Sequence, residues 1–576
     1  MNLLISILKN RLDRWLKHDD KQPWTDYYGS IPKHLDYPSY SMYELIEETV
    51  NKYPKYISLD YFGKKINYSN FYKKIEECAR ALKQLGVKEN DKITVCMPNT
   101  PEGVITFYAI NMVGAIAVMI HPLSSEKEIE FYINKSNSKY VIAIDLTYNR
   151  ITEAVKNTKI EKIIICSISR SMKKFTRFLY WITSGRKNKI VLNKNTMKWN
   201  LFIKEGKSYQ GIYKISRSAY DEAVILFSGG TTGNPKGIVL SNLNFNSLAM
   251  QSHLMCDPSK AGDSVLSIMP IFHGFGIGVS IHTPLHAGMK CILVPQFKAK
   301  EFAKIIRKYQ PNFLAGVPTM YEALVNSKTR NPLYMTSVST VVCGGDILNP
   351  VLRKRVNNYL AKHGSKANIR VGYGLTECTG ASCLTPKFYY KEGSIGVPFP
   401  DMLYKIVKIG GIDTVKPNKD GEICISGPSV MIKYLDEKEE TKNVLKYHSD
   451  GKLWLHTGDI GYMNKNGMVF FKTRLKRLIV SSGYNVYPPY IEKILNSHPA
   501  IETSYVVGIP HPYKEEVPKA YIVLKEGFKL DDKLKEEIKS YCEKNIAKYS
   551  LPHEYEYRDS LPKTLVGKVA FSKLKE

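Results

Sequence analysis

Short apolar runs alternate along the chain with longer stretches in which hydrophobic residues recur every three to four positions. The first pattern is typical of buried strands and the second of helices that pack on one face. The two patterns alternate from about Tyr40 to Ile165 and again from Asp221 onward, which predicts an α/β fold with helices flanking central sheets. The strands predicted in the later region are Val224–Phe227, Val265–Met269, Cys291–Val294, Phe313–Gly316, Val338–Cys343 and Ile369–Val371.

The longest uncharged stretch runs from Gly103 to Ile120 and approaches the length of a membrane span. Asn111 and Gly114 interrupt it. We therefore interpret it as a buried helix that ends near Gly114, followed by a core strand over 115–120. Further along the chain, the polar stretch that follows Lys189 and extends to about Ser218 is loosely patterned and predicts a loop.

The composition shifts at Lys472–Arg477, which predicts a domain boundary near Lys476. We expect an N-terminal domain over 1–475, with a basic amphipathic extension over 1–39, and a C-terminal domain over 476–576. The second domain is predicted to be α+β. Its expected helices are Pro489–His498 and Asp531–Lys548. Its expected strands are Thr503–Gly508, Ala520–Leu524 and His553–Tyr557.

Length and composition indicate several well-filled cores, since the chain has 576 residues and 43% hydrophobic content. Its ten cysteines are scattered, with no pair or cluster at zinc spacing. Cys78 and Cys343 are interpreted as core residues in a reducing compartment. No cleavable secretory signal is evident, so we expect a cytoplasmic protein.

The formal net charge is +29, from 83 basic and 54 acidic residues. Such an excess suits nucleic acid, a membrane surface or acidic substrates. No nucleic-acid-binding module accompanies it, so we expect no nucleic acid partner and favour anionic lipid at the inner face of the plasma membrane. Part of the excess is compositional, because lysine is abundant throughout.

Two basic segments carry apolar residues. In the first 17 residues, Leu4, Leu8, Leu12 and Trp15 form one helical stripe flanked by basic side chains, which predicts either an interfacial helix or a helix packed on its own domain. Ser169–Lys189 joins a cluster of aromatic residues to lysines and arginines. Either contact with lipid headgroups or inward packing of the aromatics is consistent with it.

The run Ser228–Gly237 is rich in glycine and threonine and contains Lys236. Glycines let a backbone approach a ligand closely, hydroxyls donate hydrogen bonds and the lysine supplies positive charge, so the run suits a polyphosphate. It is not a Walker A loop, because Gly237 follows the lysine.

Four further motifs carry functional groups. Pro270–Gly276 holds His273, and Gly372–Glu377 offers an aromatic ring, a hydroxyl and a carboxylate. His456–Asp459 offers a second carboxylate, and Leu561–Lys568 ends on a lysine behind a glycine. Each motif alone has an ordinary structural explanation: a satisfied histidine, two common turns and a solvated lysine. The prediction therefore depends on their joint occurrence in this order.

In this order the motifs resemble those of the adenylate-forming superfamily, which includes acyl-CoA synthetases, luciferases and peptide adenylation domains. The resemblance extends from about Tyr40 to the end. It is nearest to long-chain fatty acid–CoA ligases in overall length, in the loop that holds His273 and in the opening Ser41–Leu45. It implies a large N-terminal domain of mixed sheets with a β-barrel-like subdomain, and a small mobile C-terminal domain.

The resemblance also implies a two-step reaction with ATP, Mg²⁺ and coenzyme A. A fatty acid of medium to long chain attacks ATP to give acyl-AMP and pyrophosphate, and the CoA thiol then displaces AMP. Two alternatives stay open: a separate acyl carrier protein as the acceptor, and an aryl or short-chain acid as the substrate. A homodimer is also left open.

The roles implied for individual residues come from the same resemblance. Lys568 would bridge the substrate carboxylate and the α-phosphate, His273 would orient the acid, and Lys476 would be the hinge of the C-terminal domain. The residues implied to bind the nucleotide are Ser228, Thr231, Thr232, Gly233, Lys236, Gly344, Gly345, Asp346, Gly372, Tyr373, Gly374, Thr376, Asp459 and Arg474. Those implied to bind Mg²⁺ are Glu377 and Thr232, and those implied to bind CoA are Ser482, Gly483 and Tyr484.

The sequence departs from the family pattern at four positions. Gly229 replaces a hydroxyl residue in the glycine-threonine run, and Asp346 stands where alanine is frequent. Near the predicted hinge, Thr473 stands where aspartate or glycine is usual, and Tyr490 stands where glutamate is usual. We expect adenylation to persist, and the last two positions leave the rate of the thioester step open.

Overall fold

A computed structural model describes residues 22–183, 190, 195–228, 235–256, 260–327, 333–481, 484–562, 569–570 and 572–575. Internal contacts divide the described residues into two units. The first contains residues within 22–228, 235–403 and 426–455, and the second residues within 404–425 and 456–575. The domain boundary expected between 475 and 476 stays a prediction.

The strands of the described residues are numbered here in chain order. They are β1 Ile57–Tyr61, β2 Lys64–Asn67, β3 Lys92–Cys96, β4 Ile116–Met119, β5 Tyr140–Ile144, β6 Lys162–Cys166, β7 Thr196–Lys198, β8 Glu222–Ser228, β9 Lys236–Ser241, β10 Ser264–Ser267, β11 Lys290–Leu293, β12 Phe313–Gly316, β13 Thr340–Cys343, β14 Ile369–Tyr373, β15 Cys383–Leu384, β16 Ser394–Pro398, β17 Leu403–Val407, β18 Gly421–Ser426, β19 Lys433–Tyr434, β20 Leu445–Tyr447, β21 Leu453–Met463, β22 Val469–Arg474, β23 Ile479–Ser481, β24 Tyr484–Val486, β25 Ile501–His511, β26 Glu515–Leu524 and β27 Glu554–Tyr557.

The α-helices are numbered in the same way. They are α1 Met42–Lys52, α2 Tyr68–Gln84, α3 Pro101–Met112, α4 Glu126–Ser136, α5 Tyr148–Ala154, α6 Lys174–Thr183, α7 Trp199–Gly206, α8 Asn242–Met255, α9 Thr283–His286, α10 Phe302–Tyr309, α11 Pro318–Val325, α12 Pro350–Lys362, α13 Lys438–Val444, α14 Pro488–Leu495, α15 Asp532–Asn545 and α16 Ser572–Lys575. A π-helix over Phe275–His282 leads directly into α9. Each of these described helices is too short or too polar to cross a bilayer.

Two sheets build the first unit. One has the strand order β19-β9-β8-β4-β3-β5-β6-β7, and the strands from β8 to β7 in this order are parallel. The other runs β2-β1-β11-β10-β12-β13-β14-β15-β16, and is parallel from β1 to β14. Parallel strands joined by helices confirm the α/β class that the alternating pattern predicts.

The largest core lies where apolar residues of both sheets meet the helices α2 and α3. Every residue of α3 is buried, and Leu59 of β1 and Val95 of β3 belong to the same cluster. Thr100 caps α3 by accepting the Gly103 amide at 3.1 Å, and a proline at the first turn fixes the start. The interpretation of 103–120 as a buried helix and a core strand is confirmed.

The predicted strands of the later region are all present, with ends shifted by one or two residues in five of the six cases. The described cysteines are free and buried, as expected for core residues. In the second unit, β23 to β27 form a sheet with α14 and α15, which agrees with the predicted α+β pattern over 476–576.

The prediction of a loop up to Ser218 is wrong, because α7 lies inside this stretch. Its Trp199 and Phe202 are 5% and 1% exposed and belong to the main core. Gly206 allows close approach to α2, since a Cβ there would lie 2.5 Å from the Ala81 Cα. The helix has four large apolar residues in eight, but at about two turns it is too short for a helical period to be distinguished from a short apolar run.

Candidate active site

Three of the loops predicted to carry chemistry follow parallel strands of the second sheet. The loop of His273 follows β10, Gly344–Asp346 follows β13, and Gly372–Glu377 begins at the end of β14. Because β10, β12, β13 and β14 are parallel neighbours in this order, the loops leave the same edge of the sheet. This edge is where open α/β sheets bind ligands.

Glycines let these loops touch each other directly. A Cβ on Gly344 would lie 3.1 Å from the carbonyl oxygen of Gly372. Gly380 adopts a φ of +114°, and a Cβ there would lie 2.5 Å from the carbonyl carbon of Gly274. The structure therefore brings the loop of His273, the segment after β13 and the segment after β14 into one cluster.

Asn99 fixes the loop that holds His273. Its buried amide donates to the carbonyls of Ser267 and Met269 at 2.8 and 2.9 Å, and its oxygen accepts the amide of Ile271 at 3.0 Å. His273 itself is half-buried, and its Nδ1 accepts the backbone amide of Phe275 at 3.3 Å. The imidazole is thus held at the loop surface next to the start of the π-helix.

The glycine-threonine run connects β8 to β9, which pair antiparallel in the first sheet. Ser228 and Lys236 are directly opposite each other in the register, so they stand at the two ends of the run. Gly229, Thr231, Thr232 and Gly233 lie outside the described residues. Their predicted contacts with phosphate stay predictions.

Tyr434 joins the lysine of this hairpin to the carboxylate that follows β14. Its hydroxyl donates to Glu377 Oε1 at 2.9 Å, and Lys236 Nζ lies 5.1 Å from the centre of its ring. Burial, and then the charge of Glu377, raise the pKa of Tyr434, so the hydroxyl stays protonated as a donor. The backbone supports this arrangement, because Tyr434 lies in β19, which pairs with β9.

Lys236 also has an acidic partner, Glu440 in α13, with which it forms an ion pair. Both side chains are partly exposed, at 35% and 46%. The lysine is therefore held by one carboxylate and one aromatic face beside Glu377. In this arrangement an anionic ligand would compete with Glu440 for the ammonium group.

The other predicted residues of this edge differ in exposure. Thr376 is buried, Tyr373 is half-buried, and Asp346 is exposed with its Oδ1 accepting the amide of Ile347 at 2.8 Å. Gly345 has a φ of +80°, which places the turn before Asp346 in the left-handed region. The segment Gly372–Glu377 thus offers the aromatic face of Tyr373, the hydroxyl of Thr376 and the carboxylate of Glu377.

In the second unit, Asp459 and Arg474 face each other across β21 and β22. They are register partners, and Arg474 Nε lies 3.2 Å from Asp459 Oδ1. Asp459 is fully buried, whereas the arginine side chain is 51% exposed. The turn before Asp459 is fixed by Glu422, which accepts the Gly458 amide at 2.9 Å and contacts His456 Nδ1 at 2.8 Å.

The remaining predicted residues of the second unit are described in part. Lys476 is exposed in a short 3₁₀ turn over Leu475–Arg477, and Tyr484 begins β24. Ser482, Gly483 and Lys568 lie outside the described residues. The hinge, CoA-binding and catalytic-lysine roles stay predictions.

Sequence reasoning missed three residues of the cluster: Asn99, Tyr434 and Glu440. Each lies far along the chain from the motif that it contacts, and none belongs to a short motif. The strand order reveals Tyr434 and Glu440, because β19 pairs with β9 and α13 follows β19. The hydrogen bonds of its amide reveal Asn99. The sequence signal that could have suggested Tyr434 is the short apolar run before it, Val430–Ile432.

The donor chemistry of this cluster fits a magnesium ion. Glu377 supplies a carboxylate, the hard oxygen ligand that Mg²⁺ prefers, and Tyr434 holds it in place. Lys236 supplies positive charge nearby without being a metal ligand. A ligand that carries both phosphate groups and Mg²⁺ matches this set of side chains.

Comparison with known proteins shows the family of the chain. The profile of the family described as "AMP-binding enzyme" matches residues 46–435, and that of the "AMP-binding enzyme C-terminal domain" matches residues 490–568. A long-chain-fatty-acid–CoA ligase of Bacillus subtilis (strain 168) is 31% identical over 96% of this chain and 98% of its own. A Dictyostelium discoideum protein named "Probable 4-coumarate–CoA ligase 3" is 30% identical over 87% and 88%.

A solved structure has the same fold. The o-succinylbenzoate coenzyme A synthetase of Bacillus subtilis, in complex with ATP and magnesium ion, superposes with a TM-score of 0.75 at 24% identity. The match covers 92% of this chain and 99% of the synthetase.

The chain belongs to the family of AMP-binding enzymes. Its reaction class is that of an adenylate-forming acyl-CoA ligase, a class that uses ATP, Mg²⁺ and coenzyme A. The predicted α/β fold and the resemblance to adenylate-forming enzymes are confirmed.

Proposed function

We propose that the protein activates a fatty acid of medium to long chain to acyl-AMP and then to acyl-CoA, with release of pyrophosphate and AMP. The substrate part of the proposal is supported by the Bacillus subtilis relative, which covers nearly the whole chain. The reaction part is supported above all by Tyr434, which contacts both Lys236 and Glu377. This contact brings the positive charge of Lys236, at the start of β9 in the first sheet, next to the carboxylate of Glu377, which follows β14 of the second sheet.

In this proposal the residues of the chain divide the work on ATP. Lys236, with Ser228 and 231–233, binds the β- and γ-phosphates, and Glu377 with Thr232 holds Mg²⁺, which neutralises phosphate charge when bound. Thr376 contacts the α-phosphate. Lys568 aligns the attacking carboxylate with that phosphate.

The base and the ribose have their own proposed contacts. Tyr373 stacks on adenine between Gly372 and Gly374, and the segment 344–346 borders the base. Asp459, which is fully buried beside Arg474, accepts hydrogen bonds from the ribose hydroxyls. His273 orients the acid, and 482–484 lie along the path of the CoA thiol.

An aromatic acid is the second candidate substrate. The relative named as a 4-coumarate–CoA ligase is 30% identical, almost as similar as the fatty acid ligase. The reaction class is the same in both readings. An acyl carrier protein as the acceptor in place of CoA is the third reading.

A competition among acids tests the substrate. Equal amounts of a short, a medium and a long fatty acid and of 4-coumarate are offered with ATP, Mg²⁺ and CoA, and each thioester is quantified. We expect the medium or long fatty acid to dominate the products. Dominance of 4-coumarate or acetate would overturn the substrate but leave the reaction class intact, whereas acyl-AMP without thioester would point to another acceptor.

Replacement of Glu440 by glutamine is expected to lower the KM for ATP by up to about fivefold, since exposed ion pairs contribute up to about 1 kcal/mol. The physical reason is that Glu440 competes with phosphate for Lys236. The measurement is ATP–pyrophosphate exchange as a function of ATP concentration.

Glu439→Gln is the matched control for this prediction. Glu439 lies in the same first turn of α13 and pairs with Lys442 at 2.9 Å, away from Lys236. Its KM for ATP should stay at the wild-type value. A KM that rises in Glu440→Gln would show that Glu440 positions the lysine instead of competing for it.

We also propose that the enzyme works in the cytoplasm at the inner face of the membrane. A fatty acid substrate partitions into lipid, and the net charge of +29 favours an anionic surface. The amphipathic helix predicted over residues 1–17 lies outside the described residues, so its role in this contact stays a prediction.

A further inference from the structure

The helix α6 exposes most of its apolar side chains. Phe175 is 73% exposed, and four further residues are between 46% and 55% exposed. We call these five residues the α6 surface: Phe175, Phe178, Leu179, Trp181 and Ile182. Positions 175, 178, 179 and 182 follow the spacing of one helical stripe, so the exposed residues form a continuous patch. Contiguous exposed apolar patches mark interaction sites.

The opposite side of α6 is anchored to the first unit. Tyr180 packs against the main core, and Thr176, one turn earlier, is half-buried. Arg177 Nε donates to the carbonyl of Ser169 at 3.1 Å, and its Nη2 donates to the carbonyl of Arg170. The alternative that the aromatics of this segment pack inward is therefore wrong for all but Tyr180.

Positive charge lies at one end of the patch. The helix carries no acidic residue, and Lys173, Lys174 and Arg177 are exposed at its N-terminal end. Burial, and then the charge of Arg177, lower the pKa of Lys64 in the neighbouring hairpin, which reflects the density of cations there. An apolar stripe with a basic rim at one end has the composition of an interfacial membrane helix.

A cleft of about 400 Å³ opens beside the stripe. Its lining joins two cations to hydroxyl groups and aromatic rings, together with one carboxylate. The lining residues are Asp145, Ser167, Ser169, Lys174, Arg177, Phe178, Tyr180 and Trp181. Phe178 and Trp181 stack within it, with ring centres 6.3 Å apart. Amphipathic rings beside cations are the side chains that settle at the headgroup level of a bilayer.

The turn between β1 and β2 extends the same face. Phe62 is 37% exposed at the tip, and Gly63 lies next to Lys173, since a Cβ there would be 3.4 Å from Lys173 Nζ. Another element thus adds an apolar residue beside the cations of α6. The face is wider than one helix.

We propose that the α6 surface is the site where this protein docks on an anionic lipid bilayer. The inference goes beyond the proposed reaction, and its test does not require activity. The basic rim complements anionic headgroups, and the aliphatic side chains of Leu179 and Ile182 suit the acyl region. A second copy of the chain would bring a like charge of +29. A nucleic acid would stack on the aromatic rings but would leave the exposed aliphatic side chains of Leu179 and Ile182 without an apolar partner.

The experiment measures co-sedimentation of the full chain with vesicles of phosphatidylcholine alone and with equimolar phosphatidylglycerol. We expect binding to the anionic vesicles only, and weaker binding as salt is added. The triple variant Phe175→Ser, Phe178→Ser, Leu179→Ser should lose affinity by about tenfold or more, because the inserted apolar area drives such binding. Lys173→Glu with Lys174→Glu should lose affinity for anionic vesicles by about as much.

The matched control is Phe388→Ser with Ile212→Ser. These residues are 91% and 76% exposed but lie outside the α6 surface, so affinity should not change. Pyrophosphate exchange and the melting temperature of all variants verify folding. Trp181 adds a local readout, because it is 48% exposed and its fluorescence should shift to the blue when the wild-type chain binds vesicles. The Trp181→Phe variant should lack this shift, which assigns the signal to Trp181.

Three results would overturn the proposal. The first is unchanged affinity of the triple variant for anionic vesicles. The second is an equal loss in the control variant. The third is a wild-type chain that self-associates through the α6 surface, shown by a lower sedimentation coefficient of the triple variant without vesicles.

Discussion

Glutamine in place of Glu377 is expected to slow acyl-adenylate formation by about 100-fold or more, which corresponds to roughly 2.7 kcal/mol in the transition state. Glutamine keeps the size of the side chain and its hydrogen bond from Tyr434 but removes the charge that a magnesium ion needs. The loss of adenylation rate should therefore come from the missing charge, and the fold should stay intact. ATP–pyrophosphate exchange with a saturating fatty acid measures it.

A titration with Mg²⁺ separates a metal-binding role from a structural one. In Glu377→Gln, the Mg²⁺ concentration for half-maximal exchange should rise, whereas the melting temperature without Mg²⁺ should stay near the wild-type value. Tyr434→Phe serves as the partner variant. It removes one hydrogen bond to a charged group, so we expect a loss of about tenfold and a smaller rise in the Mg²⁺ requirement.

Wild-type exchange in Glu377→Gln would refute the assignment of the metal-binding carboxylate. A loss that Mg²⁺ does not change would assign the residue to the support of the loop after β14. The side-chain contact that such a supporting role would involve is the hydrogen bond from Tyr434 to Glu377 Oε1 at 2.9 Å. Glu439→Gln, on an exposed helix turn, is the unaffected control.

The sequence locates the loops of the candidate site best where one motif directly follows one buried strand. Residues such as His273 and Glu377 were found because glycine-rich loops come directly after apolar runs. The order of parallel strands then brings those loops to one edge, as the general behaviour of open sheets leads one to expect. The sequence therefore locates these loops at strand ends, and the roles of their residues stay predictions.

Contacts between distant segments could not be predicted from one sequence. Tyr434 contacts Glu377 because β19 pairs with β9. The strand β19 has only two residues, and their types do not predict this pairing. Asn99 holds the loop of His273 from a position more than 170 residues earlier. The amphipathic pattern of α6 left its orientation open in the same way, since only the packing of Tyr180 decides which face points outward.

Alanine in place of Lys568 is expected to separate the two half-reactions. Adenylation should fall by about 1,000-fold, because the lysine neutralises charge on the α-phosphate and aligns the carboxylate that attacks it. Thioester formation from supplied acyl-AMP should stay within about threefold of wild type, a difference of less than 1 kcal/mol. The lysine is proposed to leave the site before the CoA thiol reacts.

Two assays on the same preparation measure the split. Pyrophosphate exchange follows the first half-reaction, and acyl-CoA formation from synthetic acyl-AMP follows the second. Lys563→Ala is the matched control, since Lys563 lies five positions earlier in the same motif and has no proposed contact with the nucleotide. It should keep both activities.

The ratio of the two losses carries the mechanistic information. A swing of the C-terminal domain about Lys476 requires that Lys568 serve one half-reaction only, so the ratio should be large. Equal losses in both assays would mean that the lysine stays at the nucleotide throughout, and the proposed domain movement would then be wrong. A loss confined to the thioester step would reverse the order of the two states. Because both assays share the acyl-AMP site, a general folding defect would lower them together and would also appear in the melting temperature.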